Sequence, residues 1–223
     1  MTLRIGLAGC GNIGAELCRA IVKGDIPARV SALCDVVPGA AEALKSTQNL
    51  DAITGGLDAC AAACDLLVEA ASPSAVADTV HAAIRHGCDC LVMSVGGVLQ
   101  QPDLLDEARN AGITVRLPSG ALAGLDGIRA AREAGLDSVT ITTRKPPKGL
   151  AGAPYLVENG IDVESMTEAR VVFEGTALEA VRAFPKNVNV AATLSLAGIG
   201  PERTRVRVVA DPAAVRNSHE VVA

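Results

Sequence analysis

The segment Gly9-Cys10-Gly11-Asn12-Ile13-Gly14 spaces its glycines as G-x-G-x-x-G, and Asp35 stands about 20 positions beyond it. Between a strand and a helix, such glycines have separate tasks. The first allows a tight turn, the second lets backbone approach a pyrophosphate, and the third lets the helix pack close on its strand. Backbone N–H groups and the positive end of the helix dipole then receive the phosphates, and the Asp35 carboxylate accepts the ribose hydroxyls. Val36 and Val37 follow Asp35, with no adjacent Arg or Lys to neutralise a 2′-phosphate. NAD is therefore favoured, while NADP stays admissible through a cation from elsewhere in the fold. Ala71-Ser72-Pro73 ends a later strand and starts a helix; it either crowds the cofactor or simply caps, and residue type does not choose. A nicotinamide cofactor implies hydride transfer, and the accompanying proton needs an acid–base group. His81 and His86 fall in one helix before Gly87 and read as structural, His86 complementing the dipole of the last turn. His219, beside Asn217, has a side chain whose ordinary pKa suits proton transfer near neutrality. Chemistry alone leaves it equally a surface residue.

The elements that must position these residues alternate strand and helix through the first half. Residues 3–8 read as a buried strand, 12–23 as a helix ended by Gly24, 29–34 as a second strand reaching Asp35, and 38–47 as a short helix. A loop at Gly55-Gly56 and an Ala-rich helix lead into a strand at 65–70. Ser72-Pro73 opens a helix to His86. A strand at 89–95, a Gly-Gly turn, a helix at 102–111 and a strand at 113–117 follow. Repeated βα units require right-handed crossovers and a parallel sheet, so this half is a doubly wound Rossmann domain spanning 1–118. The rhythm changes after Pro118-Ser119-Gly120. Residues 121–134 look helical, and 137–144 alternate as a half-exposed strand, with a long Gly/Pro-rich stretch after them. A strand at 169–173, a helix opened by the capping box Thr176-x-x-Glu179, a helix after Asn187 and a strand at 204–209 complete the pattern. Strands so widely separated imply a mixed or antiparallel sheet, hence an α+β second domain, 119–223.

Composition agrees. With 49% hydrophobic and 20% charged residues the chain is globular, and with one Tyr, two Phe and no Trp its core must be Ala, Val, Leu and Ile. A net charge of −5 excludes a general nucleic-acid or anionic-membrane binder, and no apolar run is long enough to span a bilayer. The N-terminus offers a basic residue before apolar ones, as a leader would, but Glu16 interrupts it and no cleavage site follows, so it reads as mature sequence. Seven cysteines lack framework spacing. Cys60-x3-Cys64 and Cys88-x-Cys90 read as small buried hydrophobes rather than metal ligands, so no metal is expected and the compartment is reducing and cytoplasmic. Arg144, Lys145 and Lys148 form the dense basic cluster; Arg144 can grip a carboxylate bidentately, but the cluster reads equally as a solvated turn, and Ser119 is similarly undecided.

PSGALAGLDGIRAA (118–131), TTRKPP (142–147), FPKNVNVAATLSLAG (184–198) and Asn217-Ser218-His219 resemble the L-aspartate dehydrogenase family, and with the glycine motif the resemblance covers nearly the whole chain. It implies reversible NAD(P)-dependent oxidative deamination of L-aspartate to iminosuccinate and then oxaloacetate plus ammonia. In some organisms the imine instead feeds NAD biosynthesis. By the same motifs, Ala123 and Asn189 are implied as cofactor contacts near the nicotinamide, and His219 as the catalytic acid–base residue. The family continues beyond this histidine with more sheet and a terminal helix, so a chain ending at Ala223 is expected to be C-terminally shortened. A homodimer is expected, because a mixed sheet is a common dimer surface and its edge needs cover. The alternatives are an imine reductase of the dihydrodipicolinate type, whose histidine-pair motif is not apparent, and a non-catalytic NAD-binding sensor.

Overall fold

The computed structural model describes residues 2–185 and 188–223; Met1, Lys186 and Asn187 lie outside the described residues. The chain divides into two compact units, Met1–Pro118 and Ser119–Ala223.

The first unit runs β1 (Leu3–Ala8), α1 (Asn12–Lys23), β2 (Ala28–Cys34), α2 (Ala40–Thr47), β3 (Ile53–Thr54), α3 (Leu57–Ala62), β4 (Leu66–Glu69), α4 (Val76–His86), β5 (Asp89–Val92), α5 (Val95–Val98), α6 (Leu104–Asn110) and β6 (Val115–Arg116). Its strands form one parallel sheet in the order β3-β2-β1-β4-β5-β6. The order reverses between β1 and β4, and ligands of such sheets bind outside the carboxyl ends of the strands at that point. The strands read as continuous apolar runs because both faces are covered. Ile5, Leu7, Val30, Leu33 and Val68 pack with Cys18 and Ile21 of α1 into one core.

Two expectations fail here, each for a local reason. Β5 stops at Val92, and Gly96-Gly97 is no turn but part of the buried helical turn α5. A Cβ on Gly97 would lie 2.4 Å from the Pro73 carbonyl oxygen, so this glycine serves close backbone approach. Ser72 does not cap through its side chain; its hydroxyl meets that of Ser74 at 2.9 Å, and a short 3-10 turn, Pro73–Ala75, precedes α4.

The second unit runs α7 (Leu125–Glu133), β7 (Val139–Lys145), α8 (Pro154–Glu158), β8 (Arg170–Thr176), α9 (Ala177–Ala183), α10 (Asn189–Ala197), β9 (Thr204–Ala210) and β10 (Ser218–Val222). The sheet order is β10-β7-β9-β8; β7 and β9 are parallel, and both outer pairs are antiparallel, so the sheet is mixed as expected. The capping box is present in full: Thr176 Oγ1 accepts the Glu179 N–H at 3.2 Å, and the Glu179 carboxylate accepts the Thr176 N–H at 2.7 Å. The Gly/Pro-rich stretch is less irregular than its composition suggests. A 3-10 turn at Pro147–Gly149 and α8 occupy it, and Leu150 and Leu156 are buried. Tyr155, Phe173 and Phe184, the chain's three aromatic residues, form one cluster with ring centroids 5.2–5.9 Å apart. Β10, which carries His219, was not foreseen, although Ser218–Val222 alternates in exposure as an edge strand does.

Candidate functional site

In the first unit the glycine loop joins β1 to α1. Gly9 has φ +104°, and a Cβ there would strike the Ala70 carbonyl at 2.6 Å. A Cβ on Gly14 would lie 2.2 Å from the Gly9 oxygen, so α1 can start this close to the strand only as glycine. Above Gly11, by contrast, an added Cβ would meet nothing within 4 Å; the space a pyrophosphate needs is there. Asn12 and Ile13 are exposed in the first turn of α1, where its N–H groups face outward.

Asp35, just past β2, accepts the Cys10 N–H at 2.6 Å and the Val37 N–H at 2.8 Å, which fixes its carboxylate against the glycine loop. Burial, then the nearby Asp35, pushes the Cys10 thiol up to about 12, so it stays neutral beside a phosphate. Gly9, Asp35, Ala71 and Ser72 line one cavity of about 350 Å³, together with Gly55 and Asp78. Val36 is 96% exposed on its wall, so the position beside Asp35 offers no cation to a 2′-phosphate. Size, glycine cradle and carboxylate fit a dinucleotide's adenosine end.

Sequence reasoning missed the residue under this wall. Glu69, at the carboxyl end of β4, is fully buried and binds three donors: the Ala71 N–H at 2.9 Å, the Ser94 N–H at 2.8 Å and the Ser94 hydroxyl at 3.0 Å. It ties the loop after β4 to the loop after β5. An acidic residue closing an otherwise apolar strand was the available signal.

In the second unit, His219 stands opposite Thr143 in the β10–β7 pair, and its Nδ1 shares a 3.0 Å hydrogen bond with Thr143 Oγ1. Nε2 is thereby the nitrogen left for chemistry. Burial, and after it the charge of Lys145, holds the imidazole below its ordinary 6.5. Thr143 and Lys145 lie on the inner face of β7, both buried, while Arg144 between them points to the other face and pairs with Asp211 at 2.8 Å. The basic cluster is therefore split by strand alternation, a pattern that was legible had the strand been carried one residue further. Lys148 is exposed. Ala123 is exposed just ahead of α7, and Asn189 is the exposed first residue of α10. His81 and His86 form surface pairs with Glu107 at 2.9 Å and Asp58 at 3.0 Å.

Residues 126–223 match the C-terminal domain family of aspartate dehydrogenase, and residues 9–118 match the NAD-binding domain family of homoserine dehydrogenase. An L-aspartate dehydrogenase of Methanosarcina mazei is 49% identical over 98% of this chain and 82% of its own length. One from Methanosarcina acetivorans is 46% identical, over 99% and 83%. The crystal structure of aspartate dehydrogenase from Thermotoga maritima superimposes with a TM-score of 0.73 at 27% identity, covering 99% of this chain and 84% of that one.

Proposed function

Since the chain belongs to the L-aspartate dehydrogenase family, we propose that it oxidises L-aspartate with NAD to iminosuccinate, which water converts to oxaloacetate and ammonia. When bound, the nicotinamide ring accepts the hydride from the substrate's Cα. The protein's own residues do the rest. The Gly9–Gly14 loop and the first turn of α1 hold the pyrophosphate, Asp35 takes the ribose hydroxyls, and Ala71 and Ser72 wall the cavity. Ala123 and Asn189 contact the nicotinamide end, Asn189 through an uncharged amide suited to a carboxamide. His219 is the acid–base residue. With Nδ1–H donating to Thr143, its Nε2 lone pair takes a proton from the water that attacks the imine, and returns it to the leaving amine.

The observation that carries this reading is the held imidazole, its ring oriented by the Thr143 hydroxyl at 3.0 Å; burial, and after it the charge of Lys145, lowers its pKa from the ordinary value. The free thiols, buried except for the half-buried Cys10, support a reducing, cytoplasmic setting, and no described helix is long and apolar enough to cross a membrane. A homodimer belongs to this reading, since a mixed sheet such as β10-β7-β9-β8 is a common dimer surface.

The test is a panel of amino acids assayed for NAD and NADP reduction at alkaline pH. Reduction confined to L-aspartate, with NAD preferred, is the expected result. His219→Ala should keep NADH affinity and lose about 10²–10⁴-fold in turnover. NADH binding without turnover of any amino acid would replace this reading with that of a sensor.

A further inference from the structure

We propose that Lys145 is the residue that anchors a carboxylate of the substrate beside His219, an inference that rests on the dicarboxylate substrate proposed above. L-aspartate carries two carboxylates, and whichever end lies near the reacting carbon must have a cation close to the imidazole. Arg144, the obvious candidate by residue type, faces the opposite side of β7 and is engaged by Asp211 at 2.8 Å. Lys145 faces the same side as Thr143, whose hydroxyl holds the His219 ring at 3.0 Å. It is only 6% exposed, on the buried face of β7 that also carries Thr143.

Thr143 and Lys145 line a cavity whose other walls include Leu150, Phe184, Val188 and Ala191. Its volume is about 10 Å³, roughly the room of one water-sized oxygen, and the proposed pairing sets a carboxylate oxygen against the ammonium there. Apolar walls strengthen that pairing relative to water. The same charge reaches His219, where it contributes to the lowered pKa of the ring. Carboxylate and base are thus addressed by one cation.

The experiment measures succinate, a dicarboxylate without the amine, binding to the protein–NADH complex, alongside steady-state kinetics. Lys145→Met keeps the length of the side chain and removes the charge, with Lys145→Gln as the second variant should the first not fold; Lys148→Met controls for net charge. The expected result is a 10- to 100-fold weaker succinate Kd and a similar rise in aspartate KM for Lys145→Met, the span of a charge-assisted hydrogen bond. NADH affinity should stay within about twofold, and Lys148→Met should behave as wild type. L-asparagine tells the two carboxylates apart: loss of discrimination between aspartate and asparagine assigns the β-carboxylate to Lys145, and equal losses for both assign the α-carboxylate. Succinate Kd and aspartate KM within twofold of wild type in Lys145→Met would overturn the proposal. A wild type that binds NADH and succinate yet never oxidises aspartate would instead overturn the dehydrogenase reading.

Discussion

Glu69→Gln is the sharpest test of how the cofactor wall is built. In the native protein Oε1 accepts the Ala71 N–H and the Ser94 hydroxyl, and Oε2 accepts the Ser94 N–H, all at 2.8–3.0 Å. Glutamine has one oxygen, so one of these positions becomes an NH₂ facing a donor. If the oxygen stays at the Ala71 side, the Ser94 N–H faces a donor in the interior, where an unsatisfied group costs about 1–3 kcal/mol. If it turns to Ser94 N–H, the Ser94 hydroxyl rotates to accept, and the Ala71 N–H loses its partner. Ala71 is exposed, so water can replace that bond at the low end of the range. The second arrangement therefore wins, at about 1–2 kcal/mol, with its damage confined to the loop that lines the cofactor cavity. Urea unfolding followed by far-UV circular dichroism reads the stability, and NADH fluorescence reads the affinity without background from Trp, which the chain lacks. The expected outcome is a modestly lowered midpoint with NADH affinity reduced about tenfold. An unchanged midpoint together with unchanged NADH affinity would refute the argument that Glu69 holds the wall.

Gly14→Ala places its Cβ 2.2 Å from the Gly9 oxygen, where only backbone can give, so it should destabilise by about 3 kcal/mol or more and abolish NADH binding. Gly11→Ala meets no atom within 4 Å; it should unfold like wild type yet weaken NADH at least tenfold, because the methyl occupies the pyrophosphate's approach. Thr176→Ala removes the cap hydroxyl of α9 and should cost about 1 kcal/mol in urea unfolding, with NADH affinity unchanged. His219 has its folded pKa below the ordinary 6.5, so the acid limb of kcat/KM should fall below that pH, and Lys145→Met should move it upward. The same shift means that the unfolded chain takes up this proton first. Stability contributed by the neutral ring is present above pH 6.5 and declines as pH falls toward the folded pKa.

The nearly alternating strands and helices, the glycine spacing and the acid at the end of β2 were legible in the chain, because each rests on local rules. Glycines must lie where backbones approach, and apolar runs must be covered on both faces. The capping box was legible for the same reason: its partners are three residues apart. What tertiary structure decided was which distant residues share a surface. Glu69 reads as an ordinary acid until β5 and the loop after it bring Ser94 against it, 25 positions away. Arg144 and Lys145 are adjacent cations in sequence. They part company only because β7 alternates between a face covered by apolar side chains and one that meets Asp211. His219 acquires its orientation from Thr143, 76 positions earlier, through pairing of an edge strand too short to announce itself. Local propensity sets the elements; long-range pairing and burial select which side chains act together, and no local pattern encodes that choice.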